Sequence, residues 1–150
     1  MNYDQLAYKL RKALSVWLLP FTSENVGTYS PTYQGGTSGG STTYTIQQGA
    51  WTRLGNMVFV TGTVAWTAAS GTGDARISLP FVVANVTNQN FTGSLRLSGI
   101  TFANGSPEVL ILPNTQYFIM QSPLTNASPT TVAVEAAATV VFNVAYRVEE

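Results

Sequence analysis

The chain has 150 residues, 45% of them hydrophobic and only 9% charged, with a formal net charge of zero. That length suits a single domain with one real core. A neutral surface gives phosphate backbones no footprint, so nucleic acid is not an expected partner. No membrane is expected either, because no run approaches the roughly 20 apolar residues of a span. The absence of Cys and His excludes disulfides, thiolate and imidazole metal sites, and Ser-His-Asp or Cys-His nucleophiles.

Residues 1–20 read as an attachment helix. No Gly or Pro interrupts residues 2–19, and Pro20 stops the helix. Tyr3, Leu6, Leu10, Ala13 and Trp17 recur at spacings of 3, 4, 3 and 4, which aligns them on one stripe. Leu14, Leu18 and Leu19 widen that apolar face, and Lys9, Arg11 and Lys12 make the other face basic. Asp4 stands in the first turn, where the helix dipole favours an acid. A lone helix of this length is marginal in water, so something must cover the stripe. Tyr3, Leu6, Leu10, Ala13, Leu14, Trp17 and Leu18 are therefore expected to form a partner or oligomer interface. The plainer alternative is a lid on the chain's own body.

Residues 21–42 read as a flexible arm. Gly35-Gly36 and Gly39-Gly40 loosen its end, and Tyr29 and Tyr33 offer contacts to a neighbouring subunit. Residues 43–150 then read as a β domain. A short strand at residues 43–46 is followed by a hairpin of residues 51–54 and 57–66 around Gly55-Asn56. Val58, Val60, Gly62, Val64 and Trp66 share the face assigned to the core. Residues 75–79 put Ile77 and Leu79 inward, and residues 94–100 put Leu95 and Leu97 inward. Further strands are expected at 108–112, 116–121 and 130–134. Residues 138–148 close the chain with Val140, Phe142, Val144, Tyr146 and Val148 on one face. Eight or nine short strands with regular turns predict a β-sandwich or jelly roll of about eight strands, mainly β, with one N-terminal amphipathic helix and an extended arm.

Several of these segments carry a recognisable pattern. Residues 44–56, with Tyr44, Gln47, Gly49, Trp51-Thr52-Arg53-Leu54 and Gly55-Asn56, resemble the opening of a β domain common in tailed bacteriophages. Val60, Gly62, Val64 and Trp66-Thr67 fit its continuation, as do Gly71-Thr72-Gly73 and Ile77-Ser78-Leu79-Pro80-Phe81. Upstream, Tyr29-Ser30-Pro31-Thr32 is similar to a segment that often precedes it. The likeness covers about residues 29–90. It implies a place at the virion surface, in tail-fibre tips or decoration proteins. The same residues have a plain physical reading as turn glycines and strand ends.

Chemistry narrows little further. Asp74, Glu108 and Glu135 are the only acids between Glu24 and Glu149. They are expected to be isolated surface groups rather than a glycosidase pair. No phosphate-cradling glycine loop precedes a helix, so no cofactor is expected. Trp51 and Tyr117 are candidate glycan contacts, with Tyr33 a further one. Trp66 is expected in the core. Uncharged surfaces tend to associate, which favours life in an assembly. The expectation is a non-enzymatic virion protein, first a trimeric capsid decoration (cement) protein on the major capsid protein. The alternative is a short tail fibre or receptor-binding tip that recognises a host glycan. No fibre shaft precedes the helix in this sequence, which favours the capsid.

Overall fold

The computed structural model describes residues 3–18, 25–103, 105–124 and 126–149, and within the helix the side chains of residues 3–10 and 12. Among these residues lie one helix, α1 (Tyr3–Leu18), and ten strands. The strands are β1 (Val26–Tyr29), β2 (Tyr33–Gly35), β3 (Thr42–Leu54), β4 (Met57–Ala69), β5 (Ala75–Ser78), β6 (Gly93–Ser98), β7 (Glu108–Leu110), β8 (Tyr117–Leu124), β9 (Ala127–Thr131) and β10 (Ala138–Arg147). One sheet runs β1-β3-β4-β10-β6; the other runs β2-β5-β8-β7, with β9 beside β8. Every pairing is antiparallel. The protein is a mainly β sandwich with one N-terminal helix.

The period-2 pattern decides which face is core. In β4, Val58, Val60, Val64 and Trp66 are buried while Phe59 and Thr61 are exposed. In β10, Val140, Phe142, Val144 and Tyr146 are buried, and Val148 follows them inward. Ile77 and Leu79 are buried as expected, and Leu95 and Leu97 lie partly buried against the same core. Two ring pairs tie the sheets together. Tyr33 of β2 stacks on Trp66 of β4 at 3.8 Å between centroids. Phe118 of β8 meets Phe142 of β10 edge-on at 5.2 Å.

The topology is a rolled ribbon. β4 pairs with β10 in the first sheet, and β5 pairs with β8 in the second. The chain passes from β4 to β5 and from β8 through β9 to β10, so both halves of the ribbon cross together. The same holds for β6, which pairs with β10, and its successor β7, which pairs with β8. Strands that are neighbours in one sheet are thus continued by neighbours in the other, as a two-sheet sandwich requires.

The β3–β4 hairpin turns in two residues, Gly55 and Asn56, between the partners Leu54 and Met57. Gly55 has φ of 60° while Asn56 keeps negative φ; that combination suits a type II′ turn, whose twist matches the strands. The two short strands expected over residues 43–54 are one strand, β3, kinked by register shifts beside Tyr44.

The flexible arm expected over residues 21–42 is not what its described part forms. β1 pairs with β3 from Val26↔Thr52 to Tyr29↔Gly49, and β2 pairs with β5 from Tyr33↔Ile77 to Gly35↔Ala75. Side chains of β3 fasten the segment between these strands. Tyr44 Oη accepts the Tyr33 N–H at 2.7 Å and donates to the Tyr33 carbonyl at 3.2 Å. Thr42 Oγ1 donates to the same carbonyl at 3.0 Å, and Gln47 Nε2 to the Pro31 carbonyl at 3.1 Å. The glycine-rich end is tied as well, by Gly36 N–H to the Asp74 carbonyl and Thr37 N–H to the Thr72 carbonyl, both 2.9 Å. Composition suggested a linker because glycine is usually read as freedom. Here glycine permits close backbone approach: a Cβ at Gly35 would fall on the backbone of Ser38 and Thr72.

Candidate functional site

The helix presents the first candidate surface. Within the stripe, Tyr3 is 91% exposed, Leu6 49% and Leu10 60%. The side chains of Ala13, Leu14, Trp17 and Leu18 lie outside the described residues. The core cluster is assembled from residues 33–148 and includes no described helix side chain. The sandwich is therefore closed without Tyr3, Leu6 or Leu10. Among the described residues, no helix is long and apolar enough to cross a membrane.

The two tyrosines expected to reach a neighbour are instead built into the sandwich. Tyr33 is 2% exposed; its Oη accepts the Glu135 N–H at 2.8 Å. Tyr29 lies over Gly49, its register partner, and donates to the Ser78 carbonyl at 3.4 Å. Burial raises both phenols above their ordinary value, as it does that of Tyr146. Tyr146 Oη brackets Phe81 much as Tyr44 brackets Tyr33. It accepts the Phe81 N–H at 3.3 Å and donates to the Phe81 carbonyl at 3.2 Å.

The aromatic residues marked for glycan contact are also engaged internally. Trp51 meets Phe81 edge-on at 4.7 Å. Its indole covers Gly27, its register partner, so closely that a Cβ there would come within 2.6 Å of the ring. Tyr117 is half-buried and carries the Arg76 guanidinium 4.4 Å above its ring, a cation–π contact. Trp66 is in the core, as expected, and its Nε1 donates to the Glu135 carbonyl at 3.0 Å.

The acids sit in separate surroundings. Asp74 is paired with Arg76, Oδ2 to Nε at 2.6 Å. That hydrogen bond holds the carboxyl below its ordinary value. Glu135 Oε1 accepts the Thr101 N–H at 2.9 Å, and Glu108 is exposed. Asp74 and Glu135 thus have structural partners, where the sequence suggested isolated surface groups. Among the described residues, no group of three acids is placed to hold a metal.

The second candidate surface escaped the sequence reading. The outward residues of the first sheet form an open groove of about 1040 Å³. Register sets its rows. One row crosses all five strands as Thr28, Ala50, Thr61, Asn143 and Ser94. The next runs Gln48, Thr63, Val141 and Arg96. Beneath them lie Gly49 and Gly62, which face each other across β3 and β4. No acidic residue lines the groove. Among the described residues, the side chains of Gln48, Arg96 and Asn143 make no hydrogen bond or ion pair. The signal was present in the sequence. The alternation that puts Val60 and Val64 inward puts Thr61 and Thr63 outward on one face. A search confined to Trp and Tyr overlooks such a face.

Comparison with known protein families, characterised proteins and solved structures finds no match.

Proposed function

We propose that this chain is a non-enzymatic structural protein of a tailed-phage virion. In this reading it is a capsid decoration (cement) protein, held by its helix while the sandwich faces solvent. The observation that carries the reading is the uncovered stripe of Tyr3, Leu6 and Leu10 beside a core that is complete without them. An apolar helix face left open by its own domain calls for an external partner. The partners are the major capsid protein and the matching helices of a homotrimer. Each stripe side chain buried on attachment contributes about 1.5–3 kcal/mol before entropy costs. Repeated over many copies, that burial would reinforce the shell. The phage-like pattern over residues 29–90 supports the virion as the location.

The receptor-binding alternative through Trp51 and Tyr117 lacks comparable support, because both rings are occupied within the sandwich. Electron microscopy of virions with this chain labelled tests the reading. Label distributed over the shell is expected. Label confined to the tail, or absent from the particle, overturns it.

A further inference from the structure

We propose that the outer face of the first sheet binds an oligosaccharide that carries carboxylate groups. Three observations converge on that ligand class. First, hydroxyl and amide side chains stand among apolar ones along the groove, and Gln48, Asn143 and Arg96 have no partner among the described residues. The guanidiniums of Arg76 and Arg53, by contrast, are fastened locally, Arg76 by Asp74 and Arg53 by the Gly55 and Glu149 carbonyls. Free donors and acceptors along an open groove suit a ligand made of hydroxyls. Second, the groove holds one guanidinium and no acid. A guanidinium fork recognises a carboxylate in bidentate fashion, so the charge selects an acidic sugar over a neutral one. Third, Phe59 stands 48% exposed on the same face, two residues from Thr61. It offers an apolar platform for the flat side of a sugar ring.

These groups also set the ligand's length. Arg96 lies two strands and four residues from Phe59, which on ordinary sheet spacing is about 17 Å. The sugar stacked on Phe59 and the carboxylate held by Arg96 therefore belong to different units of one oligosaccharide laid obliquely across the strands. This binding does not depend on the helix or on what the helix attaches to.

The test is calorimetric titration of the full chain with an oligogalacturonate and with a malto-oligosaccharide of equal length. The acidic chain should bind about tenfold more tightly, the worth of one charge-assisted hydrogen-bonded pair. Arg96→Gln should erase that preference, and Phe59→Ser should weaken both sugars. Both residues are exposed, so the melting transitions of the variants should match the parent. If Phe59→Ser fails to fold, Arg96→Gln still decides the matter. The proposal is overturned if neither sugar binds up to ~10 mM, if the neutral sugar binds equally well, or if Arg96→Gln binds as the parent does. It also falls if no sugar binds and Arg96→Gln alters self-association, since the face would then belong to a second copy.

Discussion

Tyrosine hydroxyls do much of the fastening in this sandwich. Tyr44 holds both backbone groups of Tyr33, and Tyr146 holds both of Phe81. Removing either hydroxyl leaves a partly buried N–H and C=O without that partner. Tyr44→Phe and Tyr146→Phe should each cost about 1–3 kcal/mol, read from thermal or denaturant melts. The raised phenols of Tyr29, Tyr33 and Tyr146 add a pH dependence. Their folded values lie above the ordinary 10.0, so their contribution is complete below pH 10 and is lost as pH rises past it. Ionisation of these three phenols, followed by ultraviolet difference spectra, should coincide with loss of the near-ultraviolet circular dichroism of the fold. Asp74 acts in the opposite direction. Its folded value lies below the ordinary 3.8, so its contribution is present above that pH and is lost on acidification below it. Asp74→Asn should remove that part of the acid response.

At the scale of elements, glycine and aromatic residues answer each other across the first sheet. Gly27 faces Trp51, Gly49 faces Tyr29, and Gly62 faces Phe142, each as a direct register partner. In each pair the ring lies where a glycine Cβ would project. The aromatic ring supplies the contact that glycine lacks, a known device for strengthening glycine in sheets. Gly49→Val or Gly62→Val should therefore destabilise by about 1–3 kcal/mol through overpacking, and more if the ring cannot move. This arrangement also shows what was legible in the sequence. The inward rows of β4 and β10 follow from alternation alone, because Val, Phe and Tyr recur every second residue. β1 and β2 do not follow from it. Their strands are only four and three residues long, too short for periodicity to register, and they are fixed by distant partners on β3 and β5. Trp51 looked like a sugar platform because nothing local to it reveals that Gly27 and Phe81 will pack against its ring.

At the scale of the whole molecule, the chain divides between a self-sufficient sandwich and a helix whose described apolar residues remain uncovered. The sandwich unites ten strands, two cross-sheet ring pairs and a core running from Tyr33 to Val148. Among the described residues, no buried side-chain polar atom lacks a hydrogen bond. The helix was legible from its 3-4-3-4 spacing, and the exposure of Tyr3, Leu6 and Leu10 is what the proposed external role rests on. The outer sheet face was legible only in part: the alternation assigns its residues, but which of them stand side by side depends on the register between distant strands. The central claim is that attachment resides in the helix and folding in the sandwich. Leu10→Asp tests it most directly, by measuring in parallel the melting of the free chain and its saturation of virion shells stripped of it. The account predicts an unchanged melt, because Leu10 is exposed, together with loss of shell binding. A variant that saturates the shells as the parent does would contradict it.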